Sequence, residues 1–247
     1  MTSNQTIRWV LKPAVFLGSL VPFAWLAWSL YTGNVGADPL NEITHETGIW
    51  ALRFLCITLA MTPLRRIAGW NAAIRFRRMV GLFAFFYGSV HLLIFIVFDR
   101  LAALNFPNPL ALKTLGLLAA SIGGEIVKRP YINVGFISWF CMLLLAATST
   151  TGMIRRMGGK RWQALHRLVY AAAVAAVLHF WWLVKADISR PQTYALVVAA
   201  LLGIRIWWAV RKRAAVPVRA RVPSSPSGEQ RPPRAIPASD AAPAKRP

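Results

Sequence analysis

Charged residues are scarce in this chain, and histidine and cysteine are scarcer still. Of 247 residues only 15% are charged, eight of them acidic, and there are four histidines and two cysteines. An average soluble domain carries about 25% charged residues. Together with 56% hydrophobic residues and a mean hydropathy of +0.47, the shortage of charge argues against a water-soluble domain and predicts a polytopic membrane protein.

Several familiar cofactor motifs are also missing. There is no C-x-x-C-H, which excludes covalent c-type haem attachment, and no Cys/His cluster has zinc spacing. Without G-x-G-x-x-G or a P-loop, no nucleotide-binding fold is indicated. The two cysteines, Cys56 and Cys141, lie inside apolar runs and are predicted to be small core residues. No exposed cysteine pair or molybdenum ligand is visible, so no substrate-reducing site is predicted, and whether the chain is itself an enzyme stays open.

What the chain does have is a series of long apolar runs. Because a membrane-spanning helix needs about 20 apolar residues, they predict an all-α bundle of about six spans, with the first retained and not cleaved as a signal peptide. The second run is short and contains Arg53. The predicted spans are 10–31, 48–64, 79–98, 132–151, 162–184 and 193–210.

The basic residues set the predicted orientation. With both termini in the cytoplasm, twenty Lys and Arg fall on cytoplasmic segments and six on the opposite side, which also takes six of the eight acidic residues. This is the bias of the positive-inside rule. If a seventh apolar stretch, 110–127, crossed the membrane, the basic cluster from Arg155 to Arg161 would lie outside, against this rule. The stretch is therefore predicted to lie on the surface or to be re-entrant.

The net charge of +21 is not a sign of nucleic-acid binding, because the basic residues alternate with apolar spans or lie in the tail. Residues 1–213 are predicted to form the membrane domain. Residues 214–247 are rich in proline and charge and are predicted to be a disordered cytoplasmic tail. The start of the tail is basic enough to be attracted to anionic lipid headgroups of the bilayer.

Three of the four histidines lie in predicted spans, where an ionisable side chain suggests function. His91 and His179 lie at similar depth, toward the outer ends of the third and fifth spans. Two such imidazoles can face each other and supply both axial ligands of a b-type haem. His45 precedes the second span and is predicted to be a solvated loop residue.

The third histidine of the spans, His166, lies about 20 Å from His179 along the fifth span. This distance suits a second haem near the cytoplasmic face. The two side chains are about 140° apart around an ideal helix, so a bend or different approach faces would be needed. Arg77, and not a histidine, lies fourteen residues before His91, which leaves water, Met79 or nothing as the second inner ligand.

Arginines near the spans are candidate partners of haem propionates, because their guanidinium groups match carboxylates. Arg53 lies near the outer end of the second span. Arg77 and Arg78 lie at the inner end of the third and could instead serve only as interface anchors.

Four stretches resemble one known family over residues 8 to 210. They are "GIWALRFLCITLAMTPLRR", "RRMVGLFAFFYGSVHLLIF", "KRPYINVGFISWF" and "ATSTTGMIRRMGGKRWQALHRLVYAAAVAAVLHFWWLVK". They are similar to MsrQ (YedZ), the haem-binding membrane subunits of bacterial methionine sulfoxide reductase systems. The resemblance implies a ferric-reductase-like transmembrane domain in the inner membrane with one or two b-type haems. It also places His91, His166 and His179 on the family's histidine positions.

The resemblance further implies the partners. Electrons would come from the quinone pool or a cytosolic flavin reductase, with FMN as a further associated cofactor. They would pass to MsrP, a periplasmic molybdopterin enzyme that repairs oxidised proteins, in a heterodimer with this chain. The outer segments 32–47, 99–131 and 185–192 are the candidate docking surfaces.

Two other functions fit the residues alone. One is a ferric reductase-type cytochrome that acts on another acceptor at the outer face. The other is a non-haem proton or solute transporter with the histidines as relay groups, although none of the eight acidic residues lies in the middle of a span.

Overall fold

The computed structural model describes residues 3–101 and 112–214. This part of the chain is almost wholly helical and contains no β-strand. Short π-helical segments lie at Ile7–Leu11 and Phe95–Leu101, and a 3-10 turn at Asn71–Arg75. The α-helices are α1 Ser3–Thr6, α2 Lys12–Tyr31, α3 Pro39–Ile67, α4 Arg77–Ile94, α5 Leu112–Lys128, α6 Pro130–Ala147, α7 Thr151–Met157, α8 Gly159–Leu165, α9 Leu168–Leu183 and α10 Ser189–Ala214.

Six of the helical stretches are long and apolar enough to cross a membrane, which confirms the predicted polytopic bundle. Within the described residues they are Ile7–Tyr31, Pro39–Ile67, Arg77–Phe98, Pro130–Ala147, Gly159–Leu183 and Ser189–Lys212. The stretch predicted to lie on the surface or to be re-entrant forms α5, which is not one of the six. Its position relative to a bilayer stays a prediction, and residues 102–111 lie outside the described part.

The second span is longer than predicted. Instead of beginning near residue 48, α3 begins at Pro39 and runs for 29 residues. Asp38 caps it by accepting a hydrogen bond from the backbone N–H of Asn41 at 3.1 Å, and proline is favoured at the first helical position. The polar stretch before the predicted span is therefore helical. Its first residues are exposed, whereas Thr44 and His45 are half-buried and Thr47 is buried.

Four helices form the centre of the bundle. α3 packs closely against α4, and α6 packs closely against α9, while α4 with α6 and α3 with α9 close the ring. Small side chains at the contacts let the backbones approach, since Ala84, Ala172 and Ala173 are fully buried. Cys56 is buried, as predicted, and Cys141 is half-buried. These two helix pairs contain both histidines of the predicted outer haem site.

α2 lies outside this ring and is attached by the hydroxyl of Tyr87. This hydroxyl donates to the carbonyl of Ser19 at 2.8 Å and accepts from the backbone N–H of Phe23 at 3.0 Å. It thus stands between a donor and an acceptor that an undisturbed helix would join directly, next to Pro22. Much of the rest of α2 is exposed apolar surface, as expected of a helix that faces lipid.

The predicted disordered tail, 214–247, lies outside the described residues apart from Ala214, which ends α10. The side chains of the candidate site belong to the compact unit that ends at Ala209.

Candidate cofactor site

The two histidines predicted at matched depth face each other in the centre of the bundle. His91 lies on α4 and His179 on α9, and their ring centroids are 6.1 Å apart with 81° between the ring planes. This separation leaves room for one metal atom between the two rings, because a metal–imidazole bond measures about 2.0–2.1 Å. The fold therefore brings together two potential ligands that are distant in sequence.

Each ring is held by a hydrogen bond to the backbone of a neighbouring helix. The Nδ1–H of His91 donates to the carbonyl of Thr44, and that of His179 to the carbonyl of Tyr131, both at 2.8 Å. Because a carbonyl only accepts, the proton of each neutral ring is on Nδ1 and the lone pair is on Nε2. Neither Nε2 has a hydrogen-bond partner within the described residues. Metal-binding histidines are typically oriented in this way.

A cavity of about 280 Å³ lies beside the two rings. Its walls come from α3, α4, α6 and α9 and are mainly apolar, with Phe136 and Trp139 among the aromatic side chains. No Asp or Glu lines it in the described part of the chain. A site between helices with apolar walls and a pair of free imidazole nitrogens fits a flat apolar group that contains a metal.

The prediction for His45 was wrong. It lies on α3, is half-buried and lines the same cavity, with its ring centroid 5.6 Å from that of Phe180. The error follows from the start of α3. The predicted span began at residue 48, whereas α3 begins at Pro39, so His45 lies in the first turns of a long helix and not in a loop. The sequence signal was present, since Asp38-Pro39 is a typical helix start.

Arg129 also lines the cavity and was not among the candidate arginines. It precedes α6, forms an ion pair with Glu125 at 2.9 Å and donates to the hydroxyl of Tyr131 at 3.2 Å. The available signal was its position beside Pro130, the first residue of a span, where an arginine lies at the membrane surface.

Arg53 lies elsewhere, between α3 and α10. Its Nε donates to the hydroxyl of Tyr194 at 3.0 Å, and its guanidinium stacks over the ring of Trp50 at 4.5 Å. It is not among the described residues that line the cavity. These contacts satisfy an arginine inside a span without a cofactor.

His166 is separate from the paired histidines. It lies in the break between α8 and α9, so the angle of an ideal helix does not apply to it. Its Nδ1 is 3.1 Å from the carbonyl of Trp162, its ring stacks on that indole with centroids 3.8 Å apart, and its Nε2 is 3.4 Å from the hydroxyl of Ser149. The charges of Arg77 and Arg78 act on this imidazole. Both arginines are thus placed near His166, and no second histidine is placed opposite it.

Arg205, in the middle of α10, was overlooked at the sequence level although an arginine in a span is itself a signal. Its Nη1 donates to the hydroxyl of Tyr170 at 2.9 Å, and its Nη2 donates to the carbonyl of Leu59. That carbonyl lacks its helical donor because Pro63, four residues later, has no N–H. Arg205 therefore supplies the hydrogen bond that the proline removes.

Comparison with known proteins assigns the chain to a family. Residues 47–177 match the model of the ferric reductase like transmembrane component family. This region runs from α3 into α9 and ends just before His179. The chain is also 48% identical to the protein-methionine-sulfoxide reductase heme-binding subunit MsrQ of Ralstonia nicotianae over 213 residues, which cover 85% of this chain and 91% of that protein.

The chain belongs to the MsrQ family. The subunit of the same name from Herminiimonas arsenicoxydans is 44% identical, with 83% of this chain and 88% of that protein covered. The one from Xanthomonas euvesicatoria pv. vesicatoria is 44% identical, with 90% and 98% covered. No solved structure matches the chain. The MsrQ resemblance read from the four sequence stretches is confirmed.

Proposed function

We propose that this chain is a b-type cytochrome in the bacterial inner membrane. It relays electrons to a periplasmic methionine sulfoxide reductase. The observation that carries the proposal is the pair formed by His91 and His179, each fixed by an Nδ1–H to a backbone carbonyl and each with Nε2 available. The MsrQ relatives are named as heme-binding subunits, which supports the same cofactor.

In this proposal the residues have separate roles. His91 and His179 would hold the haem iron through Nε2, and the carbonyls of Thr44 and Tyr131 hold their rings in one tautomer. A bound haem supplies reversible one-electron transfer, while the protein determines its orientation and surroundings. Arg129, which lines the cavity and is paired with Glu125, would hold a propionate. The arginines predicted for this role from the sequence were Arg53, Arg77 and Arg78.

We propose the partners from the family. The acceptor is a molybdopterin enzyme of the MsrP type that repairs oxidised periplasmic proteins and docks on the outer segments as a heterodimer. The donor is the quinone pool or a cytosolic flavin reductase, and FMN is a candidate additional cofactor. A second haem at His166, with Arg77 and Arg78 nearby, remains part of the proposal.

A second function is favoured by one observation, the match to a ferric reductase like component over residues 47–177. In that case the same haem would pass electrons to a ferric chelate at the outer face. A transporter is less well supported, because proton pathways in membranes commonly use carboxylates and none lines the described cavity.

The decisive experiment is an optical spectrum of the detergent-purified chain, oxidised and dithionite-reduced, with a pyridine haemochrome assay. We expect a reduced b-type spectrum and one or two haems per chain. A colourless protein that also takes up no added haem would refute the cytochrome.

A deletion strain then separates the two acceptors. Loss of methionine sulfoxide repair with intact ferric reduction supports the relay to MsrP, and the reverse pattern supports the ferric reductase. Restoring the phenotype with the full chain is the control.

A further inference from the structure

The two ligand histidines lie against two glycines. His91 of α4 packs on Gly48 of α3, where an added Cβ would be 3.1 Å from Nδ1 and 3.2 Å from Cε1 of the ring. His179 of α9 packs on Gly135 of α6, where an added Cβ would be 2.7 Å from Nδ1 and 2.9 Å from Cε1. Each ring thus occupies the space that a side chain would need.

The carbonyl partners of the rings occupy equivalent positions. Thr44 precedes Gly48 by four residues, and Tyr131 precedes Gly135 by four residues. Residues four apart lie one above the other on the same face of a helix. Each imidazole therefore lies along one helical turn, with its Nδ1–H on the carbonyl at the start of the turn and its ring over the glycine at the end.

This arrangement occurs once in each of the two closely packed helix pairs, α3 with α4 and α6 with α9. His91 follows its carbonyl partner by 47 residues along the chain and His179 follows its partner by 48. In both cases the carbonyl and the glycine, together called the cradle (Thr44 with Gly48, and Tyr131 with Gly135), are on the first helix of the pair and the histidine is on the second. The two helix pairs therefore hold their histidines in the same way.

We infer that Gly48 and Gly135 are positioning residues that set the orientation of the two axial histidines. Because each ring is held by the hydrogen bond of its Nδ1–H, it cannot move away from an added Cβ without lengthening or losing that hydrogen bond. A methyl group at either position would rotate the ring and move Nε2 away from its direction into the cavity. The displacement should be larger at Gly135, because a Cβ there would be closer than real Cβ contacts allow.

This inference rests on the proposed haem ligation, so the test includes readouts with and without haem. Gly135→Ala and Gly48→Ala are compared with two matched glycine-to-alanine controls in helices. Gly81→Ala would place its Cβ at an ordinary 3.5 Å from Thr58, and Gly203→Ala meets nothing within 4 Å. Haem affinity and the low-spin ferric EPR spectrum, which depends on the angle between the imidazole planes, are measured on the purified full chain.

We expect Gly135→Ala to weaken haem binding by about 10-fold or more, in the range found when the group that orients a metal-bound histidine is removed. Gly48→Ala should change the EPR spectrum with a smaller loss, and the two controls should match the wild type. A Gly135→Ala protein with wild-type affinity and spectrum would overturn the inference.

The haem-free protein gives the second readout. Gly135→Ala should lower the thermal midpoint in the wild-type background but hardly at all in a His179→Ala background, because the clashing ring is then gone. An equal decrease in both backgrounds would show that the ring is not what the glycine accommodates. The His179→Ala protein could also keep its haem although Gly135→Ala lowers the thermal midpoint only when His179 is present. In that case the proposed haem ligation by His179 is refuted, whereas the role of Gly135 in orienting the His179 ring is supported.

Discussion

The paired site of His91 and His179 and the surroundings of His166 differ in how they satisfy polar groups inside a membrane bundle. At the paired site both rings bond to backbone carbonyls of packed helices and leave one nitrogen free. His166 lies in a helix break, and both of its nitrogens have polar neighbours. A histidine in a span is therefore a strong ligand candidate only when the fold occupies one ring nitrogen and leaves the other available.

The largest expected effect is the loss of the paired site. We expect His91→Ala or His179→Ala to remove nearly all haem bound there, because the iron then loses one of two axial ligands. Haem per chain, measured by pyridine haemochrome, checks this. If both variants kept full haem content, the contrast between the two regions would be wrong.

The same assay applies to His166→Ala. We expect this protein to keep at least half of its haem, with the spectrum of the paired site unchanged, because His166 does not line that cavity. Loss of half of the haem would indicate a second haem, and no loss would indicate a single one. Complete loss would show that the two regions are not independent.

A smaller effect is expected from Arg205→Leu, which acts on stability and not on the paired site. Leu59 and Tyr170 would each lose a hydrogen bond to a charged group, each worth about 1.5–3 kcal/mol. Thermal unfolding in detergent, compared with Tyr170→Phe, measures the difference.

A double-mutant cycle that combines Arg205→Leu with Pro63→Ala isolates the role of the proline. An alanine there supplies the missing N–H to the carbonyl of Leu59, so Arg205→Leu should cost less in that background. Purely additive effects would contradict the proposed link.

The smallest effect is expected from His45→Phe. His45 lines the cavity and its ring packs against that of Phe180, so a second aromatic ring should preserve this contact. We expect the haem content per chain, measured from the reduced spectrum, to differ from that of the wild type by no more than about 10%. A loss comparable to that of His91→Ala would make His45 a third member of the site.

Hydropathy and the count of basic residues predicted the all-helical class and the six spans. Whether a segment crosses a bilayer depends mainly on its own composition and on the charges beside it, which are local properties of the sequence. Helix ends were less predictable. The start of α3 depends on the cap at Asp38, and its misplacement turned His45 into a loop residue. Arg129 was missed because its position beside Pro130 indicates a place at the membrane surface but does not show which cavity its side chain reaches.

The order of the amino acids is enough to show that this protein crosses the membrane, that few ionisable residues lie in the spans, and that His91 and His179 lie at one depth. The packing of the helices was needed to show that their rings face each other, that each Nδ1–H donates to a carbonyl, and that a glycine makes room for each ring. Depth can be counted in residues along one helix. Ring orientation depends on contacts between helices that are distant in sequence.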